Sequence, residues 1–243
     1  MIIEVAERFF EIEPVYEGTA REYSYYSVLI PPVPPVRVTV REEDILHGMT
    51  LAGRNPTPAD GEIVAVRQKI ADLLTESGRC LIHGGALELK RYGKCILFMA
   101  ESGVGKTTQL LNWTGEFPSE ARIINGDKPA VGMKNGAPYV FPTPWNGKEG
   151  IRSLRGAPLG MIVLLEQAKR DAISDVPHGE KVLRIFHQIF VGEKTRENYL
   201  RIAPFLDMLD TVPAVRLENR GDAASARLLR EYADKIFGEG GAK

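Results

Sequence analysis

Cysteine is nearly absent. Cys80 and Cys95 are the only two in 243 residues; two cannot staple a chain this long, and they stand at no metal-ligand spacing. Long apolar runs are missing as well, none approaching the roughly 20 residues that span a bilayer. Neither sign of charge dominates: 31 Lys and Arg face 32 Asp and Glu, a net charge of -1. That balance removes the electrostatic case for a general nucleic-acid binder. The opening Met1–Arg8 lacks the basic start and apolar core of a signal peptide. The expectation is a soluble, cytoplasmic chain with neither nucleic acid nor membrane as partner. At 44% hydrophobic and 26% charged, usage is ordinary for a globular α/β or α+β protein. The length suits one large domain, or a core domain with a small appendage.

Proline, by contrast, is concentrated. Pro31, Pro32, Pro34 and Pro35 follow a β-prone run from Tyr23 to Ile30, and they read as a stiff extended connector. Val36 to Val40 alternates as a half-buried strand does. After the loop Asn55–Asp60, the residues Ile63, Val64, Val66, Ile70, Leu73 and Leu74 fall on one face of a helix expected from Gly61 to Thr75. A division at 78/79 separates a small, mainly β N-terminal region (1–78) from a phosphate-loop domain (79–243).

In the second region Leu81-Ile82 leads into Ala86–Leu89, and a turn at Gly93 precedes Cys95 to Met99. This last run is continuously apolar, as a strand buried on both faces should be. Further strands are expected at Arg122–Ile124, Tyr139–Phe141, Met161–Leu165 and Val215–Leu217. Helices are expected after Lys106, beyond Gly179 and from Asp222 to Phe237.

Ala100 to Thr107 carries the chemistry. It has the spacing of a phosphate-binding loop, with Ala where Gly is usual first. Gly103 and Gly105 let successive N–H groups converge on one point, and the helix beginning at Lys106 adds its positive end. Lys106 would reach the β- and γ-phosphates of ATP, and the Thr107 hydroxyl would meet Mg²⁺. Ser102, Gly103, Val104, Gly105, Lys106, Thr107 and Thr108 form the predicted nucleotide-binding stretch. Glu101 is unexpected beside phosphate, and it is read as facing solvent. Asp127, at the end of an apolar strand and after Gly126, is the expected acidic partner for the metal; Glu166 is the reserve. Lys128 and Lys148 are candidate neutralising cations, Trp145 a hydrophobic plug, and Arg152 and Arg155 a solvated face.

His83-Gly84-Gly85-Ala86, the Gly93 turn and Glu101–Thr107 resemble the catalytic domain of HPr kinase/phosphorylase, one of the phosphoenolpyruvate-carboxykinase-like phosphate-loop proteins. The resemblance continues through Ile123–Asp127, Pro142–Trp145 and Leu164–Ala168, spanning residues 80 to 220, and is nearest to the short HPr-kinase-like bacterial proteins. It implies a mixed α/β sheet of that type and an ATP- and Mg²⁺-dependent kinase. Asp127 would then act at the metal and take the acceptor's proton, and His83 would lie at the active centre. The family's paired aspartates are here Gly126-Asp127. The segment that grips HPr has no counterpart, which argues against HPr itself as substrate. The acceptor is expected to be a hydroxyl of a peptide, protein or small molecule. The resemblance leaves room for a homo-oligomer. Two other readings stay open: a catalytically silent nucleotide-binding regulator or scaffold, and an ATPase coupled to a partner.

Overall fold

A computed structural model describes residues 1–192 and 194–239. The chain forms two compact units, Met1–Cys80 with Phe190–Ile202, and Leu81–Ile189 with Ala203–Lys243.

In the first unit, β1 (Ile2–Val5) and β2 (Arg8–Ile12) form an antiparallel hairpin. The turn residues Ala6 and Glu7 take positive φ values of 51° and 58°. Asn or Gly usually marks such a turn, and without them the hairpin leaves no signal in the sequence. Helix α1 (Glu17–Tyr23) follows. The buried Glu62 carboxylate accepts the Val15 and Tyr16 N–H groups at 2.7 and 3.1 Å just before it. The run expected to be extended from Tyr23 instead begins with a 3-10 turn, Ser24–Tyr26. Ser24 and Ser27 hydroxyls bond to the Arg21 and Ser24 carbonyls at 2.8 and 2.7 Å, and such local bonds compete with a strand ladder. The proline segment then connects to β3 (Val36–Val38), parallel to β2. Helices α2 (Glu42–Leu51) and α3 (Pro58–Glu76) complete this stretch. α3 starts at Pro58 rather than Gly61, because Thr57 and Asp60 close a capping box ahead of it. Helix outweighs strand here, which corrects the expectation of a mainly β N-terminal region.

The second unit is entered through β4 (Arg79–Ile82). It continues with β5 (Gly84–Leu89), β6 (Lys94–Met99), α4 (Lys106–Glu116), β7 (Ala121–Asn125), β8 (Ala130–Lys134), β9 (Ala137–Phe141), β10 (Ala157–Gln167), β11 (Ala172–Asp175) and α5 (His178–Gln188); β12 (Ile189–Phe190) falls at the point where the chain passes back to the first unit. Helix α6 (Arg196–Arg201) belongs to the first unit; α7 (Ala203–Asp210), β13 (Ala214–Asn219) and α8 (Ala223–Glu239) return to the second. β10 pairs parallel with β6 and with β13, while β5 runs antiparallel to β6 and β7. β8 and β9 attach antiparallel at the start of β10. The fold of this unit is a mixed α/β sheet.

Its core repeats every second residue, as one face of a sheet must: Leu87 and Leu89 from β5, Ile96 and Phe98 from β6, Met161, Val163 and Leu165 from β10. Leu110 and Trp113 of α4 and Leu229 and Phe237 of α8 cover that face. β6, β7 and β10 point the same way, so their carboxyl ends emerge along one edge of the sheet. Open α/β sheets present ligand-binding loops at such an edge. Cys80 and Cys95 are fully buried and unpaired, and burial pushes both thiols above their ordinary range. Among the described residues no helix is long and apolar enough to cross a membrane.

Candidate functional site

The first wall of the site is the loop between β6 and α4. Gly103 has φ +85° and Gly105 φ +113°, a region that a side chain would strain. Gly105 caps α4 with no side-chain bond, and no acidic residue occupies the helix's first turn. The leading N–H groups of α4 and its positive end are thus left for an anion from outside the protein. Lys106 is buried at 8% exposure, and its ammonium donates to the Ala100 and Glu101 carbonyls at 2.7 and 3.0 Å. Burial lowers its pKa; Asp127 works against that fall, and Lys128 adds to it.

The second wall is Gly126-Asp127-Lys128, just past β7. It is held by Asn125, which is fully buried. The Asn125 amide oxygen accepts the N–H groups of Asp127 and Lys128, both at 2.9 Å. Its amide nitrogen donates to Thr143 O, Thr143 Oγ1 and Asn146 Oδ1 at 3.1, 3.0 and 3.2 Å. One satisfied amide therefore ties the Asp127 turn to the 143–146 loop. Gly126 is needed for that approach, since a Cβ there would lie 2.4 Å from Asn146 O.

Asp127 is flanked on both oxygens. Lys128 Nζ pairs with Oδ2, and His83 Nε2 lies 3.5 Å from Oδ1. His83 follows β4, and its N–H donates to Gln188 O at 2.7 Å. Gln188, with its amide oriented to satisfy both ends, donates to His83 Nδ1 and Ala100 O, each at 3.2 Å. Those partners make Nδ1 the acceptor and leave the proton on Nε2, facing Asp127. Burial and then the Lys106 charge lower the His83 pKa from 6.5; Asp127 opposes them. The ring is neutral at neutral pH.

A test of this state follows from linkage. The folded pKa lies below the unfolded 6.5, so as pH falls through that window the unfolded chain takes up more protons. Stability is then lost as pH drops below about 6.5. His83→Gln is expected to lose less melting temperature than wild type between pH 7.5 and 5.5, as read by thermal unfolding. Equal losses in the two proteins would contradict the assignment.

Together these elements enclose a cavity of about 540 Å³. Ser102, Gly103, Gly105, Lys106, Thr107 and Thr108 line one side of it, and His83, Gly126, Asp127 and Lys128 the other. Gly147, Lys148 and Glu149 form its rim. Of the predicted nucleotide-binding stretch, Val104 stays outside; it packs against the core and lines a neighbouring cavity. Glu101 is exposed, as read from the sequence. Glu166 is taken up by Arg184, which pairs with its Oε1, and by Arg216 at 3.2 Å, and it does not line this cavity. Trp145 is buried, while Arg152 and Arg155 are exposed and lie away from the cavity. Thr143 and Gln188 were not legible in the sequence, nor was the reach of Asn125 to Thr143 and Asn146, because those partners lie far along the chain.

The donor set fits a nucleotide with a hard divalent ion. Among the described residues no three His, Cys, Asp or Glu side chains gather. Mg²⁺ takes one or two protein oxygens and fills its octahedron from phosphate and water. Thr107 and Asp127 both line the cavity and would supply that number.

No family model matches the chain, and no curated protein does. Among solved structures it matches the Hpr(Ser) kinase/phosphatase from Coxiella burnetii at 13% identity and a TM-score of 0.31, over 64% of this chain and 94% of that one.

Proposed function

We propose that this chain is a Mg²⁺-dependent ATP phosphotransferase that moves the γ-phosphoryl group to a hydroxyl. The observation that carries this reading is the convergence on one cavity of an uncapped helix N-terminus, Lys106, Thr107 and the Asp127–Lys128 pair. The phosphate loop and Lys106 would hold the triphosphate, and Thr107 with Asp127 would hold the metal, which supplies charge neutralisation on the phosphate oxygens when bound. The acceptor oxygen bonds to the γ-phosphorus as the bond from that phosphorus to the β,γ-bridging oxygen breaks. ADP leaves, and the hydroxyl proton passes to the Asp127 carboxylate. Lys128 and Lys148 add positive charge where the transferred group carries negative charge. Catalysis of this kind is positioning and electrostatics.

A binder without transfer is favoured by one feature: Lys128 pairs with Asp127, a contact that metal binding must loosen. Titration of Mg-ATP by calorimetry, followed by a screen with γ-labelled ATP against hydroxyl compounds and peptides, separates the two. The kinase reading expects micromolar binding and acceptor-dependent label transfer. Binding with no transfer to any acceptor leaves a nucleotide binder, and acceptor-independent hydrolysis points to a coupled ATPase.

A further inference from the structure

A second cavity, of about 330 Å³, lies against the same loop. It opens at the carboxyl ends of the adjacent parallel strands β6 and β10, beside the last turn of α5. That volume is at the small end of the range for small-molecule pockets. Its floor is Met99, Leu164 and Leu165, all buried. The loop residues divide between the two cavities: Ala100, Glu101 and Val104 face this one, while Ser102, Gly103 and Gly105 face the phosphate cavity.

Lys106 orients the pair. In a phosphate loop the lysine serves the β- and γ-phosphates, and the threonine end meets the rest of the chain of phosphates. The Lys106 ammonium sits on the Ala100 and Glu101 carbonyls, and both residues form a wall of the second cavity. On that orientation the second cavity would abut the transferred end of a bound nucleotide, and the nucleoside would leave past Thr107 and Thr108, which line the phosphate cavity. Gln188 lines the second cavity and touches His83, which in turn faces Asp127.

The charges lining the cavity narrow what it accepts. Arg184 is committed to Glu166 and to the Leu165 carbonyl at 3.2 Å, so its cation is spent. Glu101 also lines the cavity and is exposed, and among the described residues its carboxylate has no such partner. An apolar floor with one free carboxylate favours a body that is apolar and carries an ammonium or N–H group, and it disfavours an anion.

Resting on the phosphotransferase reading, we propose that this second cavity is the acceptor pocket. It seats the apolar, cationic or amide-bearing body of the hydroxyl compound and rejects anionic acceptors.

Two probes of matched shape and opposite charge test it on the full chain: tyramine and 4-hydroxyphenylpropionate, each titrated by ligand-observed NMR with Mg²⁺ and a non-hydrolysable ATP analogue present. Tyramine is expected to bind at least about fivefold more tightly than the carboxylate, and Glu101→Gln to remove that preference. His187→Trp, at an exposed position lining the second cavity and not the phosphate cavity, is expected to weaken tyramine by about tenfold while leaving affinity for the ATP analogue within about twofold. Equal affinity for the two probes, no binding of either, or indifference to His187→Trp overturns the pocket. The two failures are distinguishable. Loss of nucleotide binding in the wild type overturns the kinase reading and the acceptor role with it, whereas nucleotide binding without probe discrimination overturns the pocket alone.

Discussion

Asp127→Asn is expected to lower acceptor-dependent phosphoryl transfer by about a thousandfold, the range of a lost general base and metal ligand combined. Mg-ATP affinity should change far less. Asparagine keeps the shape of the side chain, so the Asn125 bonds to the Asp127 and Lys128 N–H groups, both at 2.9 Å, hold the turn as before. What is removed is the carboxylate that pairs with Lys128 and faces His83. Lys128 is then released toward the phosphates, which offsets part of the lost metal contact in binding but contributes no proton acceptor. The variant thus separates affinity from turnover. Single-turnover transfer of γ-labelled phosphate, with calorimetry of Mg-ATP on the same protein, reads the two. Transfer at wild-type rate would remove Asp127 from the chemistry, and equal loss of binding and rate would reduce it to a binding residue.

What was legible in the sequence was what is local. The loop from Ala100 to Thr108 could be read because its glycines, lysine and flanking strand and helix are contiguous, and backbone sterics favour glycine at φ values as large as those of Gly103 and Gly105. Asp127 was legible for a similar reason: an apolar strand, a glycine and a carboxylate in succession. The features that position these groups were not legible. Asn125 reaches Thr143 and Asn146, Gln188 reaches His83 and Ala100, and Glu166 is neutralised by Arg184 and Arg216. Each is a tertiary contact between residues far apart in the chain, with no spacing to betray it. Helix and strand errors had smaller causes. The capping box of Thr57 and Asp60 lay inside what reads as a loop, and the β1–β2 turn uses Ala6 and Glu7 instead of residues that favour positive φ. The seryl side chains after α1 turned a β-prone run into a 3-10 turn.

Lys106→Ala is expected to weaken Mg-ATP binding by roughly a hundredfold, about 3 kcal/mol for a charge-assisted contact to phosphate in a partly dry site. The fold should survive. The change leaves the Ala100 and Glu101 carbonyls without the ammonium that now caps them, at a cost of about 1–2 kcal/mol in stability, read as a modest fall in melting temperature. Lys106→Arg should not rescue affinity, because a planar guanidinium cannot occupy a slot shaped by two carbonyls around a compact ammonium. Burial lowers the lysine's pKa while Asp127 restrains the fall. Affinity for Mg-ATP should therefore decline with rising alkalinity before an ordinary lysine, with its value of 10.5, would lose its proton. Asp127→Asn removes the restraint, so in that variant the decline should begin at lower pH still. Calorimetric titrations across alkaline pH in the two proteins check the sign. If Lys106→Ala binds Mg-ATP as the wild type does, the uncapped end of α4 is not where phosphate sits, and the cavity beside Asp127 needs another ligand.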